Sequence, residues 1–303
     1  MREEKNFSYK CEFDEEFKFI LLPTSYGIVF CLGLVLNVLA LYIFIFKIRP
    51  WKVINVFMFN LAVSDLIYVL SLPLLIHYYS KENNWPFGMV LCKIVRFLFY
   101  TSLYCSIHFL LCISICRFLA VCYPIKFIIW CQIRYARIIA IGIWVVIIGI
   151  ESPILYFVTT SNIDNDIVCH DTSNPDLFDQ FIIYSTVNLV LLFCVPFIIL
   201  LVCYGLMAYA LWKPATATSQ NSESKKKSIK MIIIVLLVFI ICFLPFHVTR
   251  TMYYYFRKMD LDCFTLNAIN IAYKVTRPLA SANSFIDPIL YFLVWRFRLR
   301  VTR

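Results

Sequence analysis

Glycine and charge are both scarce in this chain: 6 Gly among 303 residues and 15% charged residues, against 62% hydrophobic ones. A soluble globular protein has roughly 25% charged residues, so an ordinary water-facing surface is excluded. No internal repeat and no low-complexity segment is present, which removes solenoids and compositionally biased chains. No pairing of nucleophile with base and no metal-ligand spacing occurs, and Cys169-His170 in a loop reads better as half of a disulfide, so an enzyme is not expected. A cleavable signal peptide is also missing. Residues 1–18 are too charged for one, and the first apolar run is expected to act as its own insertion signal.

What the chain does have is long apolar runs. A bilayer needs about 20 such residues per helix, and runs of that kind lie near 19–46, 54–79, 93–122, 134–158, 180–212, 228–253 and 266–292. The expected fold is therefore all-α, a seven-transmembrane helix bundle over residues 19–292. Residues 1–18 precede it as an extracellular N-terminus, and residues 293–303 follow as a short basic amphipathic helix on the inner leaflet lipid. Alternate connections carry Lys47, Arg49 and Lys52, then Arg117, Lys126, Arg134 and Arg137, then Lys213 and Lys225 to Lys227, then Arg296, Arg298 and Arg300. The positive-inside rule places these in the cytosol. The other face is acidic, with Glu12, Asp14, Glu15 and Glu16, then Asp164, Asp166, Asp171, Asp176 and Asp179. The formal charge of +10 is thus a matter of topology and is no sign of nucleic-acid binding. Asn6-Phe7-Ser8 is a glycosylation sequon on the outer face. Cys11, Cys92, Cys169 and Cys263 fall on the oxidising side, and four cysteines allow three pairings.

Ionisable residues at membrane depth mark a ligand or ion pathway by default. Arg96 in the third run shares a helical face with Phe99 and Tyr100, His247 and Arg250 in the sixth are three residues apart, and so are Lys274 and Arg277 in the seventh. Three helices therefore present cations near the extracellular side, where Glu151 is the single carboxylate in the outer half of any span. A polyphosphate would satisfy all three, because Arg binds phosphate oxygens bidentately and Lys acts as a point charge. Tyr100 and its neighbours are placed to take a base or ribose. The bland reading is that the cations snorkel or pair with Asp171 and its loop neighbours. Deeper in the membrane Asp65 needs polar partners, a proton or a cation. Pro245 should kink the sixth helix, and His108 reads as a core or helix-interface histidine.

Asn37, Asp65, Arg117, Trp144, Pro196, Pro245 and Pro288, one per helix, together with Asp287-Pro288-Ile289-Leu290-Tyr291, resemble the signature residues of the rhodopsin-like G-protein-coupled receptors. Within that family the chain is similar to the metabotropic purinoceptors for extracellular nucleotides. The strings are WPFG at 85–88, CKIVRFLFY at 92–100, LYFVTTSN at 155–162, CHDT at 169–172, FLPFHVTRTMYY at 243–254 and AYKVTRPLASAN at 272–283. They look closest to the subgroup answering uridine and adenosine triphosphates.

The resemblance implies Arg96, Tyr100, His247, Arg250, Lys274 and Arg277 as nucleotide contacts, and disulfides Cys92–Cys169 and Cys11–Cys263. It implies a sodium ion among Asp65, Ser106, Asn283, Ser284 and Asp287, with a protonated carboxylate pair as the alternative. It also implies a heterotrimeric G protein of the Gq class as partner, with phospholipase C and calcium downstream and Arg117, Tyr204, Pro245 and Tyr291 as the switch. Two residues depart from the family pattern. Cys116 stands where Asp, Glu or His usually precedes Arg117, and Phe118 replaces Tyr, so a group that restrains Arg117 is missing and raised basal activity or weaker expression is expected. Other readings of the same cations are a receptor for a dicarboxylate or lipid phosphate, or an organic-anion transporter. The scarcity of glycine and the unbroken spans weigh against the transporter.

Overall fold

The computed structural model describes residues 16–163, 166–173, 175–212, 233–259 and 261–299. Six helices are long and apolar enough to cross a membrane: Lys18–Lys47, Val53–Ser80, Gly88–Cys122, Ile133–Phe157, Phe178–Tyr209 and Ile233–Lys258. The seventh, Cys263–Leu299, is 37 residues long, and Lys274, Arg277 and Asp287 in its middle lower its hydropathy. Large apolar side chains such as Val145, Leu201 and Ile240 are exposed on the outer surface of the bundle, where lipid is the solvent. The last helix runs without a break to Leu299. Side chains from residue 290 onward, and with them the basic amphipathic face and the hydroxyl of Tyr291, lie outside the described ones. So do Asn6, Cys11 and the cytosolic loop from residue 213 to 232.

Small and polar residues join the helices, as expected where lipid gives no hydrophobic drive to association. A Cβ at Gly33 in the first span would meet Val69 Cγ2 of the second at 2.8 Å, so glycine there permits a close approach. Asn37 Nδ2 donates to the carbonyl of Ser284 at 2.7 Å, tying the first span to the seventh. Trp144 Nε1 donates to Asn60 Oδ1 at 3.1 Å, tying the fourth to the second. His108, half-buried, uses its Nδ1 on the carbonyl of Tyr104 in its own helix at 2.8 Å.

The two kink-forming prolines leave a specific mark. Residues Leu189–Cys194 and Phe239–Phe243 form π-turns immediately before Val195-Pro196 and Leu244-Pro245. A proline ring clashes with the carbonyl four residues earlier and offers no N–H, and a widened turn accommodates both defects. The all-α expectation also meets one addition. The acidic outer loop folds as an antiparallel hairpin of β1 (Val158–Ile163) and β2 (Asp166–Ser173), in which β-branched residues such as Thr160, Ile167 and Val168 supply strand propensity.

Candidate nucleotide-binding site

A disulfide between Cys92 and Cys169 pins β2 to the start of the third span. Cys92 and Arg96 lie one helical turn apart on the same face, so the strand that carries Cys169 comes to rest over Arg96. The Arg96 Nη2 accordingly donates to the carbonyl of Cys169 at 3.2 Å. Side chains two apart on a strand share a face, which brings Asp171 to the same place. Asp171 Oδ1 lies 2.5 Å from Arg96 Nη2, and Oδ2 lies 2.5 Å from Arg277 Nη1. Burial alone would disfavour the charged carboxylate. The guanidinium of Arg277, then Arg96 and then Lys274, outweigh it and hold the carboxyl well below the usual carboxylate range.

Both guanidiniums are deeply buried, Arg96 at 3% and Arg277 at 2% exposure. Arg277 Nη1 also donates to the Tyr79 hydroxyl at 3.2 Å, and its guanidinium lies 5.2 Å from the ring centre of Tyr273. Lys274, three residues before it, lines the neighbouring cavity and adds its charge to the field at Asp171. Two of the sequence-derived cations therefore pair with the loop acid, in keeping with the bland reading.

Arg250 is different. It is as buried as Arg96, at 3% exposure, yet among the described residues no carboxylate forms an ion pair with it. Its Nε donates to the Tyr254 hydroxyl at 3.1 Å and its Nη1 to the Tyr104 hydroxyl at 3.4 Å. Its guanidinium lies 4.3 Å from the ring centre of Tyr100 and 5.3 Å from that of Tyr254. Rings and phenol oxygens support this cation without neutralising it. The outer-half carboxylate, Glu151, is engaged elsewhere, accepting from Tyr184 at 3.0 Å and from Asn188 at 2.9 Å. His247 stacks on Phe193 at 4.2 Å between ring centres, and its Nε2 has no hydrogen-bond partner among the described residues.

On the extracellular side of these groups lies a cavity of about 390 Å³, lined among others by Lys18, His170, Asp171, Tyr253, Arg257 and Lys274. Asp171 stands between this cavity and the guanidiniums of Arg96 and Arg277. Sequence reasoning does not single out Tyr79, Tyr104, Tyr254 or Tyr273, since one tyrosine among 19 carries little signal. It also passes over His170 as part of the disulfide loop. The His170 Nε2 is 2.6 Å from Ser161 Oγ across the hairpin, and burial is the main reason its imidazole titrates below the ordinary value. Cys263 is disulfide-bonded, and Cys11, the partner implied for it, lies outside the described residues.

Deeper in the bundle Asp65 and Asp287 are both fully buried, and Ser106 Oγ donates to Asp65 Oδ1 at 3.1 Å. Asp65 Oδ2 and both oxygens of Asp287 accept no hydrogen bond from the described residues, and Asn283 Nδ2 likewise has no partner among them.

The chain resembles known proteins over most of its length. The family described as 7 transmembrane receptor (rhodopsin family) matches residues 36–291. Purinoceptor 2 of Rattus norvegicus is 57% identical over 295 residues, covering 97% of this chain and 79% of that protein. Purinoceptor 4 of the same species is 53% identical over 281 residues, or 93% and 78% of the two chains. Purinoceptor 1 of Meleagris gallopavo is 41% identical over 305 residues, or 98% and 83%. By the family match and by this degree of identity over nearly its whole length, the chain belongs to the rhodopsin family of seven-transmembrane receptors, among its purinoceptors.

Proposed function

We propose that this receptor, a multi-pass protein of the plasma membrane, binds an extracellular nucleoside triphosphate, uridine or adenosine, through the cations of its third, sixth and seventh spans. The observation that carries the reading is the surplus of buried positive charge: Arg96 and Arg277 share the one carboxylate of Asp171, and Arg250 forms no ion pair among the described residues. Phosphate oxygens supply what is missing at Arg250 and, held also by Lys274, they take over from the Asp171 carboxylate at Arg96 and Arg277. Tyr100, with the rings around Arg250, offers an aromatic wall for the base or ribose. His247 contributes to that wall by its ring face.

Only contacts that differ between two states drive a switch. Charge-assisted hydrogen bonds contribute roughly 1.5–3 kcal/mol each. Two or three made in one state alone reach the approximately 5.5 kcal/mol that moves an equilibrium from about 1:99 to 99:1. Phosphate draws the outer ends of the sixth and seventh spans toward Arg96. The sixth span turns at Pro245 and its π-turn, so its cytosolic half swings outward while Arg117, Tyr204 and Tyr291 rearrange to admit a heterotrimeric G protein of the Gq class, leading to phospholipase C and calcium release.

The test is calcium release in cells expressing the chain, with uridine triphosphate, adenosine triphosphate and uridine diphosphate titrated while their breakdown is blocked. Arg250→Ala is expected to raise the agonist concentration required by about 10- to 100-fold at unchanged surface expression, the equivalent of roughly 1.4–2.8 kcal/mol. Normal potency in that variant removes Arg250 from the site. A response to dicarboxylates or lipid phosphates in place of nucleotides reassigns the ligand.

The mid-membrane pair fits a sodium ion. Asp65 and Asp287 supply charge, and Ser106, Ser284 and the Asn283 amide oxygen supply neutral oxygens of the kind hard cations take. Bound there, sodium would compensate two carboxylates at a depth where charge is otherwise unsupported. Agonist affinity is expected to fall as sodium is raised, and Asp65→Asn to abolish that dependence. Sodium-independent affinity in the unaltered receptor favours a protonated pair.

A further inference from the structure

The third span reaches the cytosol as Ser114-Ile115-Cys116-Arg117-Phe118, and the loop beyond it turns through a short helix, Pro124–Trp130, capped by Cys131. The fold brings Cys131 back onto the span, with its Sγ 3.6 Å from the Sγ of Cys116. Cys116 is 7% exposed, whereas Cys131 is only partly buried. The two sulfurs are thus in contact and unbonded, one anchored in a helix beside Arg117 and the other on a loop. A disulfide brings sulfurs to about 2.05 Å. Cytosolic thiols rest in the reduced state, and disulfides formed there are mostly transient and redox-sensing.

We propose that Cys116 and Cys131 form a reversible modification site for hydroperoxides, at which oxidation staples the intracellular loop to the third span and lowers coupling to the G protein. The sulfur of Cys131, the accessible one, attacks hydrogen peroxide. The O–O bond breaks, one oxygen stays on sulfur as a sulfenic acid, and the other leaves as water. The sulfur of Cys116 then attacks the sulfenic sulfur, the S–O bond breaks, and a second water leaves with the remaining thiol proton. Two thiols and one peroxide become one disulfide and two waters, and a cytosolic dithiol reverses the step by exchange.

The staple crosses the stretch of the third span next to Arg117, so it restrains the surface that must rearrange on coupling. Burial keeps the Cys131 thiol above its ordinary titration range. The pair therefore persists as thiols at rest, and the rate of linkage rises with pH, since the thiolate is the nucleophile.

The experiment uses the full chain in lipid nanodiscs, treated with hydrogen peroxide, digested without reduction and read by mass spectrometry, with agonist-stimulated guanine-nucleotide exchange on a purified G protein measured in parallel. A peptide pair linked through Cys116 and Cys131, a several-fold loss of exchange and recovery with thioredoxin are expected. Cys131→Ser should exchange normally and be indifferent to peroxide. The linked peptide is read independently of coupling, so the site is tested even if the G protein chosen is the wrong one. Absence of that link at a dose that oxidises a cysteine peptide in the same sample overturns the site. Equal peroxide sensitivity in Cys131→Ser, or a link that leaves exchange unchanged, overturns the regulation.

Discussion

Replacing Asp171 with Asn leaves Arg96 and Arg277 buried without their shared counter-ion. Breaking one partner of a buried ion pair costs about 3–5 kcal/mol, so the unliganded receptor should melt at a lower temperature. A nucleotide that brings its own anion restores the balance, and the stabilisation it confers should grow in Asp171→Asn. Thermal denaturation with and without uridine triphosphate measures both, and a ligand-induced shift smaller than in the unaltered receptor contradicts phosphate replacing the Asp171 carboxylate. The depressed titration of Asp171 fixes the pH behaviour. Its folded value lies below the ordinary 3.8, so its contribution is fully present above that value and is lost only as pH falls below it. The cations themselves are readable from sequence, since an Arg at membrane depth is conspicuous. Pairing with Asp171 and its loop neighbours is readable too, as the alternative to a ligand, but its geometry is not, because it depends on the disulfide that seats Cys169 over Arg96. His247 is a nucleotide contact only by the family resemblance, and its ring is stacked on Phe193, a direction that spacing to Arg250 does not give. Spacing gives the face of a helix and leaves the side-chain direction open.

Among the elements, the spans are legible because a bilayer demands about 20 apolar residues in sequence. The hairpin is not, because although its strands pair locally, Val158 with Ser173 and Ile163 with Asp166, they are seated by a disulfide to Cys92, 77 residues away. Pro196 and Pro245 announce defects in the fifth and sixth helices but not the π-turns that absorb them. Helix association is equally hidden, as Gly33 is one small residue in an apolar run. Gly33→Ala should destabilise the receptor by about 1–3 kcal/mol, the usual cost of overpacking. Thermal denaturation of the purified variant measures it, and an unchanged midpoint means that Val69 can move aside.

For the molecule as a whole, the disulfide joins the outer end of the third span to the hairpin, so its loss should separate folding from recognition. Cys169→Ser should retain the helical signal in circular dichroism, because the spans are held by lipid and by each other, and lose most of its agonist affinity as β2 and the Cys169 carbonyl cease to hold Arg96 in place. Affinity unchanged in that variant would show that the helices alone position the cations. The covalent link also bears on which anions reach the site. A group on a short tether competes at an effective concentration on the order of millimolar, and dilution of the receptor leaves that concentration unaltered. On the proposed reading, Asp171 is such a tethered competitor. Monovalent anions, abundant at the roughly 0.15 M ionic strength outside cells, each replace at most one of its contacts and face re-entry of the carboxylate at once. On the proposed reading, an anion that carries several charges on one short chain would engage Arg96, Arg277 and Arg250 together, and would meet the tether with multivalency of its own.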